Sequence, residues 1–314
     1  MPEPIPQKVE VKEKFEDHYR KILGKEYDEF MEYSLSYIRK AIRVNTIKTT
    51  VKHIKEVLKD KWKLTQIPWC KEGFWIEYKE GKRFDIGNLK EHLLGYIYVQ
   101  EAASMLPPVV LQPKPGDTVL DMCASPGSKS TQISSMMQNK GVLVCNDIFG
   151  DRIKPLGLNL QRGGCSNAII TKQPGESIKE EFDKILVDAP CSGVGTIRKS
   201  LKILKMWSPG LVEKMSRIQK RLCERAFKIL KPGGVMVYST CTLEPLENEG
   251  VVSHILETIP NAKLEDIKLD IKRAKPILEL NGIKFHKDVT KCLRIHPYHN
   301  DTEGFFVGRI RKAK

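Results

Sequence analysis

Apolar residues first recur at helical spacing: Phe15, Tyr19, Ile22 and Leu23, then Phe30, Tyr33, Leu35, Tyr37 and Ile38. The spacing predicts a helical segment from Val11 to Arg39. Met1 to Gln7, with three prolines, is read as a frayed start. Ala41 to Thr46 reads as a short strand, and Thr50 caps a helix over Val51 to Leu58. Further strands are expected at Leu64 to Ile67, Phe74 to Tyr78 and Ile97 to Gln100. These elements make a small α+β domain, residues 1–105. Pro107-Pro108 and Pro113-Lys114-Pro115-Gly116 mark the junction after it.

From Thr118 the pattern changes to a regular alternation of short apolar runs and amphipathic segments. Strands are expected at Thr118–Met122, Val142–Asn146, Ala168–Thr171, Ile185–Asp188 and Val235–Ser239. Helices are expected at Lys129–Met137, Arg152–Leu160, Leu211–Leu230 and Glu247–Leu256. Lys231-Pro232-Gly233-Gly234 stops the long helix, and two late strands fall at Cys292–Ile295 and Phe305–Ile310. Such alternation predicts an α/β, doubly wound sheet over residues 106–314.

The 314 residues carry 53 Lys and Arg against 39 Asp and Glu, a net charge of +14. The segment up to Met105 has 20 basic and 17 acidic residues; the remainder has 33 and 22, so the excess lies in the α/β half. A balance this basic points to a polyanion as partner. No apolar run reaches the ~18 residues of a membrane span, and no signal-peptide pattern opens the chain. The eight cysteines form no CxxC pair and no zinc-like cluster with histidine, so no metal is expected. The expectation is a cytoplasmic protein with reduced thiols.

Two loops carry the candidate chemistry. Asp188-Ala189-Pro190-Cys191-Ser192-Gly193 and Ser239-Thr240-Cys241-Thr242 each follow an apolar strand. Ligands of open α/β sheets bind beyond the carboxyl ends of the strands. Neighbouring strands, ~4.8 Å apart, would bring two thiols and a carboxylate to one crevice. The first strand–helix turn, Asp121-Met122-Cys123-Ala124-Ser125-Pro126-Gly127-Ser128-Lys129, stands where a nucleotide loop belongs. It has neither the three glycines of a dinucleotide fingerprint nor a P-loop. Asp121 suits an ammonium group, and Asp147, ending the second strand, suits a ribose. A nucleoside joined to an amino acid, without phosphate, describes S-adenosylmethionine better than NAD.

These motifs resemble the Sun-type (nucleolar protein/Sun) family of RNA cytosine-5 methyltransferases. Asp121 to Lys129 looks like the family's cofactor motif. The Asp188 and Ser239 loops look like its catalytic motifs, continued by Gly195-Thr196-Ile197-Arg198 and by Glu247-Asn248-Glu249. Gln100 to Met105 resembles the lead into the catalytic domain, Arg43-Val44-Asn45-Thr46 an RNA-holding motif, and Gly304-Phe305-Phe306 the last strand. Pro174 stands where the family often has an acid near the adenine, and Glu303 where glycine is common. The resemblance implies a class I (Rossmann-like) methyltransferase domain and a small N-terminal RNA-binding domain. The expected reaction moves a methyl group from S-adenosylmethionine to carbon 5 of a cytosine in RNA, with tRNA foremost and rRNA second.

The chemistry explains the residue types. Carbon 5 of cytosine is a poor nucleophile until a thiolate adds to carbon 6. The resemblance assigns that attack to Cys241 and gives Cys191 a part in resolving the covalent complex. Asp188 is expected to hold the pyrimidine edge as a buried, protonated acid. Lys129 is expected to orient Asp188 or to lower a thiol pKa. The cofactor is expected on Asp121, Cys123, Ala124, Ser125, Pro126, Gly127, Ser128, Lys129, Asp147, Arg152 and Asp188, with the thiols of Cys123, Cys145, Cys165 and Cys223 structural. Arg43, Asn45, Arg198, Lys199 and Lys202 are the expected RNA contacts. The stripe Lys214, Arg217, Arg221, Arg225 and Lys228 is read as a solvated helix face. Met206 and Trp207 suit either core packing or an apolar surface for a base. Two other readings compete: a DNA cytosine-5 methyltransferase, which would use Cys191 as its nucleophile, and an inactive RNA-binding scaffold.

Overall fold

The computed structural model describes residues 3–5, 9–81 and 85–314. The chain begins with helices α1 (Glu13–Leu23) and α2 (Tyr27–Ser34), and β1 (Ala41–Val44) follows. Next come α3 (Val51–Leu58), β2 (Trp62–Gln66), β3 (Gly73–Tyr78), α4 (Lys90–Leu93), β4 (Ile97–Val99) and α5 (Leu106–Leu111). The alternating part contains β5 (Thr118–Asp121), α6 (Ser128–Met136), β6 (Val142–Asp147), α7 (Gly150–Gly163), β7 (Ala168–Lys172) and β8 (Phe182–Asp188). It continues through α8 (Lys202–Met206), α9 (Pro209–Lys228), β9 (Leu230–Thr240), α10 (Glu249–Thr258) and β10 (Ala262–Glu265). The hairpin β11 (Glu279–Leu280) and β12 (Ile283–Lys284), then β13 (Leu293–Ile295), α11 (Pro297–Asn300) and β14 (Phe305–Lys312), complete it.

Spatial contacts divide the chain into two compact units. The first contains Met1–Ile38, Ala189–Glu224 and Tyr238–Arg311; the second contains Arg39–Asp188, Arg225–Val237 and Lys312–Lys314. The junction expected at residue 105 falls inside the second unit.

In the second unit, β2-β3-β1-β4 form an antiparallel sheet. Ile42, Val44, Ile54, Phe74, Ile76 and Ile97 fill its core. A second sheet runs in the order β9-β8-β5-β6-β7. Strands β6 and β8 flank β5 in parallel, so Asp121 of β5 lies opposite Cys145 on one side and Leu186 on the other. The chain leaves β5 towards β6 and β7, then returns to β8 on β5's other edge. That reversal is the switch point at which open sheets bind ligands, and Asp121 and Asp188 end its two strands.

In the first unit, Phe15, Tyr19, Phe30, Val194, Trp207 and Leu243 pack into one core. Glu244, fully buried, accepts from Tyr19 Oη and Trp207 Nε1, each at 2.7 Å. Strands β13 and β14 pair antiparallel, with Leu293 opposite Val307.

Several expectations shift. The single N-terminal helix breaks at Gly24, whose φ of +55° ends α1. Pro107 and Pro108 start α5 rather than a linker, because proline's missing N–H costs nothing in a helix's first turn. Of the start expected to fray, Met1, Pro2, Pro6 and Gln7 lie outside the described residues. The described part is tied down: Tyr37 N donates to Glu3 O and Ile5 N to Leu35 O, both at 2.8 Å.

Candidate active site

The turn after β5 is shaped by its glycine and held by Asp147. Gly127 has φ +102°, a conformation that favours glycine, and its N–H returns to Ala124 O at 2.8 Å. Asp147, 2% exposed, accepts from Ser125 N through Oδ2 and from Phe149 N through Oδ1, both at 3.2 Å. Arg152 reaches over the same turn, donating to Ser125 O at 2.8 Å. Asn146 ties neighbouring loops together, donating to Met122 O at 3.2 Å and Gln173 O at 3.0 Å. The structure thus brings together Asp121, Cys123, Ala124, Ser125, Pro126, Gly127, Ser128, Asp147 and Arg152.

Asp121 is 1% exposed. Ser130 Oγ donates to its Oδ2 at 2.7 Å, while Oδ1 has no hydrogen-bond partner. Burial pushes this carboxyl up to about 7, against the pull of the Ser130 hydrogen bond. A buried acceptor without a donor is costly, and an ammonium group is its complement. The donor set fits the amino acid end of S-adenosylmethionine, with Asp147 suited to the ribose hydroxyls. Lys129 Nζ lies 2.7 Å from Asp188 Oδ2. Asp188 is not the buried acid expected, because its side chain is 26% exposed and paired with that ammonium.

The two thiols lie in the first unit. Cys191 Sγ and Cys241 Sγ are 3.3 Å apart. The hydrogen bond to Cys241 is the largest cause that pushes the Cys191 thiol well above its usual range, and burial adds to it. Burial also pushes up the thiols of Cys123, Cys145 and Cys165, which suits structural roles. Gly195 seats the Cys241 turn: its N–H donates to Cys241 O, and its own carbonyl accepts from Gly304 N, both at 3.0 Å.

The run Glu247-Asn248-Glu249 fixes both thiol loops, and all three residues are fully buried. Glu247 Oε2 accepts from Ser192 N at 3.0 Å and from Gln219 Nε2 at 2.7 Å. Gln219 Nε2 also donates to Pro190 O at 2.8 Å. Asn248 Oδ1 accepts from Thr240 Oγ1 at 2.6 Å, and its Nδ2 donates to Thr242 O at 3.0 Å. Glu249 is bidentate with Arg294, at 2.8 and 2.6 Å. Sequence reading placed this run beside the site without giving it work. The available signal was a charged run opening an apolar helix that carries Val251, Val252 and Ile255.

The expected RNA contacts separate by burial. Arg43, 2% exposed, donates from Nε to Gln100 Oε1 and from Nη2 to Thr131 Oγ1, both at 2.8 Å. Asn45 donates to Gly95 O at 2.9 Å and Gly163 O at 2.8 Å. Arg198 has a fully buried side chain bonded to Ser36 O, Tyr37 O and Thr302 O, with Asp301 at 2.8 Å. All three polar groups are thus engaged by partners inside the protein. Lys199 is half-exposed and pairs with Glu303 at 2.6 Å, while Lys202 is exposed. Trp207 belongs to the core, and Met206 is 66% exposed. Lys214, Arg217, Arg221 and Lys228 are exposed, and Arg225 is half-buried. No group of three metal-ligating side chains occurs among the described residues, and no helix there is long and apolar enough to cross a membrane.

A family model described as 16S rRNA methyltransferase RsmB/F matches residues 108–311. A model of the N-terminal domain of 16S rRNA methyltransferase RsmF matches residues 11–102. The tRNA (cytosine(49)-C(5))-methyltransferase of Pyrococcus abyssi (strain GE5 / Orsay) is 46% identical over 98% of this chain and 100% of its own length. Ribosomal RNA small subunit methyltransferase F of Vibrio vulnificus (strain YJ016) is 43% identical over 91% of this chain, which spans 60% of that protein. Among solved structures, a methyltransferase homolog from Pyrococcus horikoshii is 36% identical with a TM-score of 0.85, covering 96% of this chain and 95% of its own. NSun6 from Pyrococcus horikoshii, solved with SFG, an analogue of S-adenosylmethionine, is 25% identical with a TM-score of 0.82, covering 96% and 98%.

Proposed function

The chain belongs to the RsmB/F family of RNA methyltransferases, and from that premise we propose that it makes 5-methylcytosine in tRNA through a covalent Cys241–cytosine intermediate. The reaction class is S-adenosylmethionine-dependent methylation of carbon 5 of cytosine in RNA. The observation that carries the two-thiol reading is the pair itself, Cys191 Sγ and Cys241 Sγ 3.3 Å apart. A DNA-type enzyme needs one thiol, and an inactive scaffold needs none.

S-adenosylmethionine supplies the methyl group as an electrophilic sulfonium. Asp121 receives its ammonium group and Asp147 its ribose, on the turn from Met122 to Ser128. Cys241 adds to carbon 6 of the cytosine, which makes carbon 5 nucleophilic. Asp188 holds the pyrimidine edge. Its contact with Lys129 orients it, and its oxygens can accept from the exocyclic amino group. Cys191 serves the last stage, when the carbon 5 proton leaves and the Cys241–carbon 6 bond breaks. The cytosine has to leave its stack to be attacked, which favours an unpaired or distorted site in the RNA. Lys199 and Lys202 are the candidate phosphate contacts, and residues 1–105 are read as the RNA-holding domain.

A tRNA substrate is favoured by the relative from Pyrococcus abyssi, whose whole length this chain matches. An rRNA substrate is the second reading, favoured by the names of the longer relatives. Bisulfite sequencing of tRNA and rRNA incubated with the protein and S-adenosylmethionine separates the two, and tRNA cytosine 49 is the first position to inspect. Trapping on RNA containing 5-fluorocytosine tests the thiols. Cys241→Ala is expected to lose the adduct and Cys191→Ala to retain it. Adduct loss only in Cys191→Ala would reverse the assignment.

A further inference from the structure

The thiol chemistry leaves one proton without a destination. While Cys241 is bonded to carbon 6, Cys191 has to become a thiolate before it can remove the carbon 5 proton. The hydrogen bond to Cys241, the largest of the causes that keep the proton on Cys191, ends when Cys241 bonds to carbon. An acceptor for the Cys191 proton is still required.

Glu247 is fully buried. Its Oε2 accepts from Ser192 N, the residue after Cys191, and from Gln219 Nε2, which also holds Pro190 O. The carboxyl is thus bonded, directly and through Gln219, to the backbone on both sides of Cys191. Its Oε1 is buried and has no hydrogen-bond partner. The titratable groups that act on it or feel it are Cys191 on the loop after β8, Tyr19 on α1 and Glu244 on its own loop. No salt bridge neutralises it among the described residues.

We propose that Glu247 is a positioning residue that exchanges a proton with Cys191, taking it while Cys241 is bonded to the cytosine and so releasing the thiolate that resolves the adduct. This rests on the methyltransferase reading above. The steps balance. Cys191 S–H gives its proton to the Glu247 carboxylate, leaving a thiolate and a neutral acid. The thiolate takes the proton from carbon 5. The carbon–hydrogen electron pair becomes the C5=C6 double bond, and the Cys241–carbon 6 pair leaves on Cys241 as a thiolate. Cys191 S–H then hydrogen-bonds that thiolate. Glu247 releases its proton to water, which accounts for the one proton lost per methyl group gained.

The acceptor also has a raised affinity for a proton. A surface carboxylate would bind a proton too weakly to draw one from a buried thiol, whereas burial pushes Glu247 up to about 7. An acid–base group works best when its own affinity for a proton lies near the working pH.

The test is Glu247→Gln, which keeps the shape and the acceptor for Ser192 N but cannot take a proton. With RNA and S-adenosylmethionine it is expected to accumulate a covalent protein–RNA complex on denaturing gels. Release should slow roughly 100-fold, and the pH profile of release should lose its inflection near 7. Glu247→Asp should restore part of the release rate. Release by Glu247→Gln with the wild-type rate and pH profile would overturn the proposal. If Glu247→Gln fails to fold, alkylation of Cys191 in Cys241→Ala protein decides: its rate should show an added inflection near 7, and a single thiol titration sinks the idea. The alkylation readout needs no RNA. A wild-type protein that makes no 5-methylcytosine would refute the functional reading while leaving the proton coupling testable.

Discussion

Arg198 and Lys202 are four positions apart in one basic run, yet they stand in opposite environments. Arg198 has no exposed side-chain surface and four oxygen partners, whereas Lys202 is exposed at the start of α8. Residue identity revealed that both are cations. It did not reveal burial, which depends on carbonyls supplied by Ser36, Tyr37 and Thr302, far away in sequence. Arg198→Ala is expected to cost ~3 kcal/mol, read as a fall in melting temperature. Lys202→Ala should leave the melting temperature unchanged, weaken RNA binding and reduce the slope of log affinity against log salt by about 0.7. Equal salt slopes for Lys202→Ala and the wild type would remove that lysine from the interface. The meeting of Cys191 with Cys241, and the placing of Asp121 and Asp147 at the ends of β5 and β6, were legible from the strand-end loops that carry them. The burial of Asp121 and Glu247 was not, and it has a thermodynamic consequence. Both carboxyls are pushed up to about 7 when folded, against ~4 when unfolded. Between those values the folded state binds more protons, so these groups lose stability as pH rises. Each penalty is on the order of 4 kcal/mol. Cofactor-free Asp121→Asn and Glu247→Gln proteins are expected to melt above the wild type at pH 8, with the gap closing at pH 5; a gap that does not change with pH would contradict the buried, protonated acids.

Strands β5, β6 and β7 match the sequence expectation to within a residue at each end, because each is a short apolar run bounded by turn residues, whereas β9 begins at Leu230, inside the stretch expected only to stop a helix, and β10 to β12 had no expectation. Helices α6, α7, α9 and α10 also fell where periodicity put them, within a turn. Elsewhere local pattern misled for identifiable reasons. The apolar stripe from Phe15 to Ile38 runs through Gly24, but only a backbone at φ +55° shows that the helix ends there. Pro107-Pro108 reads as punctuation, although proline is equally at home in a first helical turn. The close approach of Gly195 to Gly304 was invisible, because it joins segments more than a hundred residues apart. A Cβ on Gly195 would lie 2.2 Å from Gly304 O and 2.7 Å from Cys241 O. Gly195→Ala must therefore push the Cys241 turn, at an expected ~1–3 kcal/mol. Adduct yield on 5-fluorocytosine RNA should fall more than the melting temperature alone accounts for. A full adduct yield would show that the turn adapts.

The net charge of +14 correctly pointed to nucleic acid as a partner class, a property of composition that needs no fold. Tertiary grouping was less legible. Sequence pattern divides the chain near residue 105, as do the two family models, which meet between residues 102 and 108. The compact units are cut differently: the chain passes from one to the other after Ile38, Asp188, Glu224, Val237 and Arg311. Four of these passages lie at or inside strands and a helix, namely the end of β8, α9, β9 and β14. A continuous element cannot melt in one half and stay ordered in the other without fraying its own hydrogen bonds. Calorimetry of the whole protein is thus expected to show one cooperative transition, and two separated heat peaks would contradict it. A fragment cut at residue 105 takes away the partners of both units, so neither piece should refold by itself, however clean that boundary looks in the sequence.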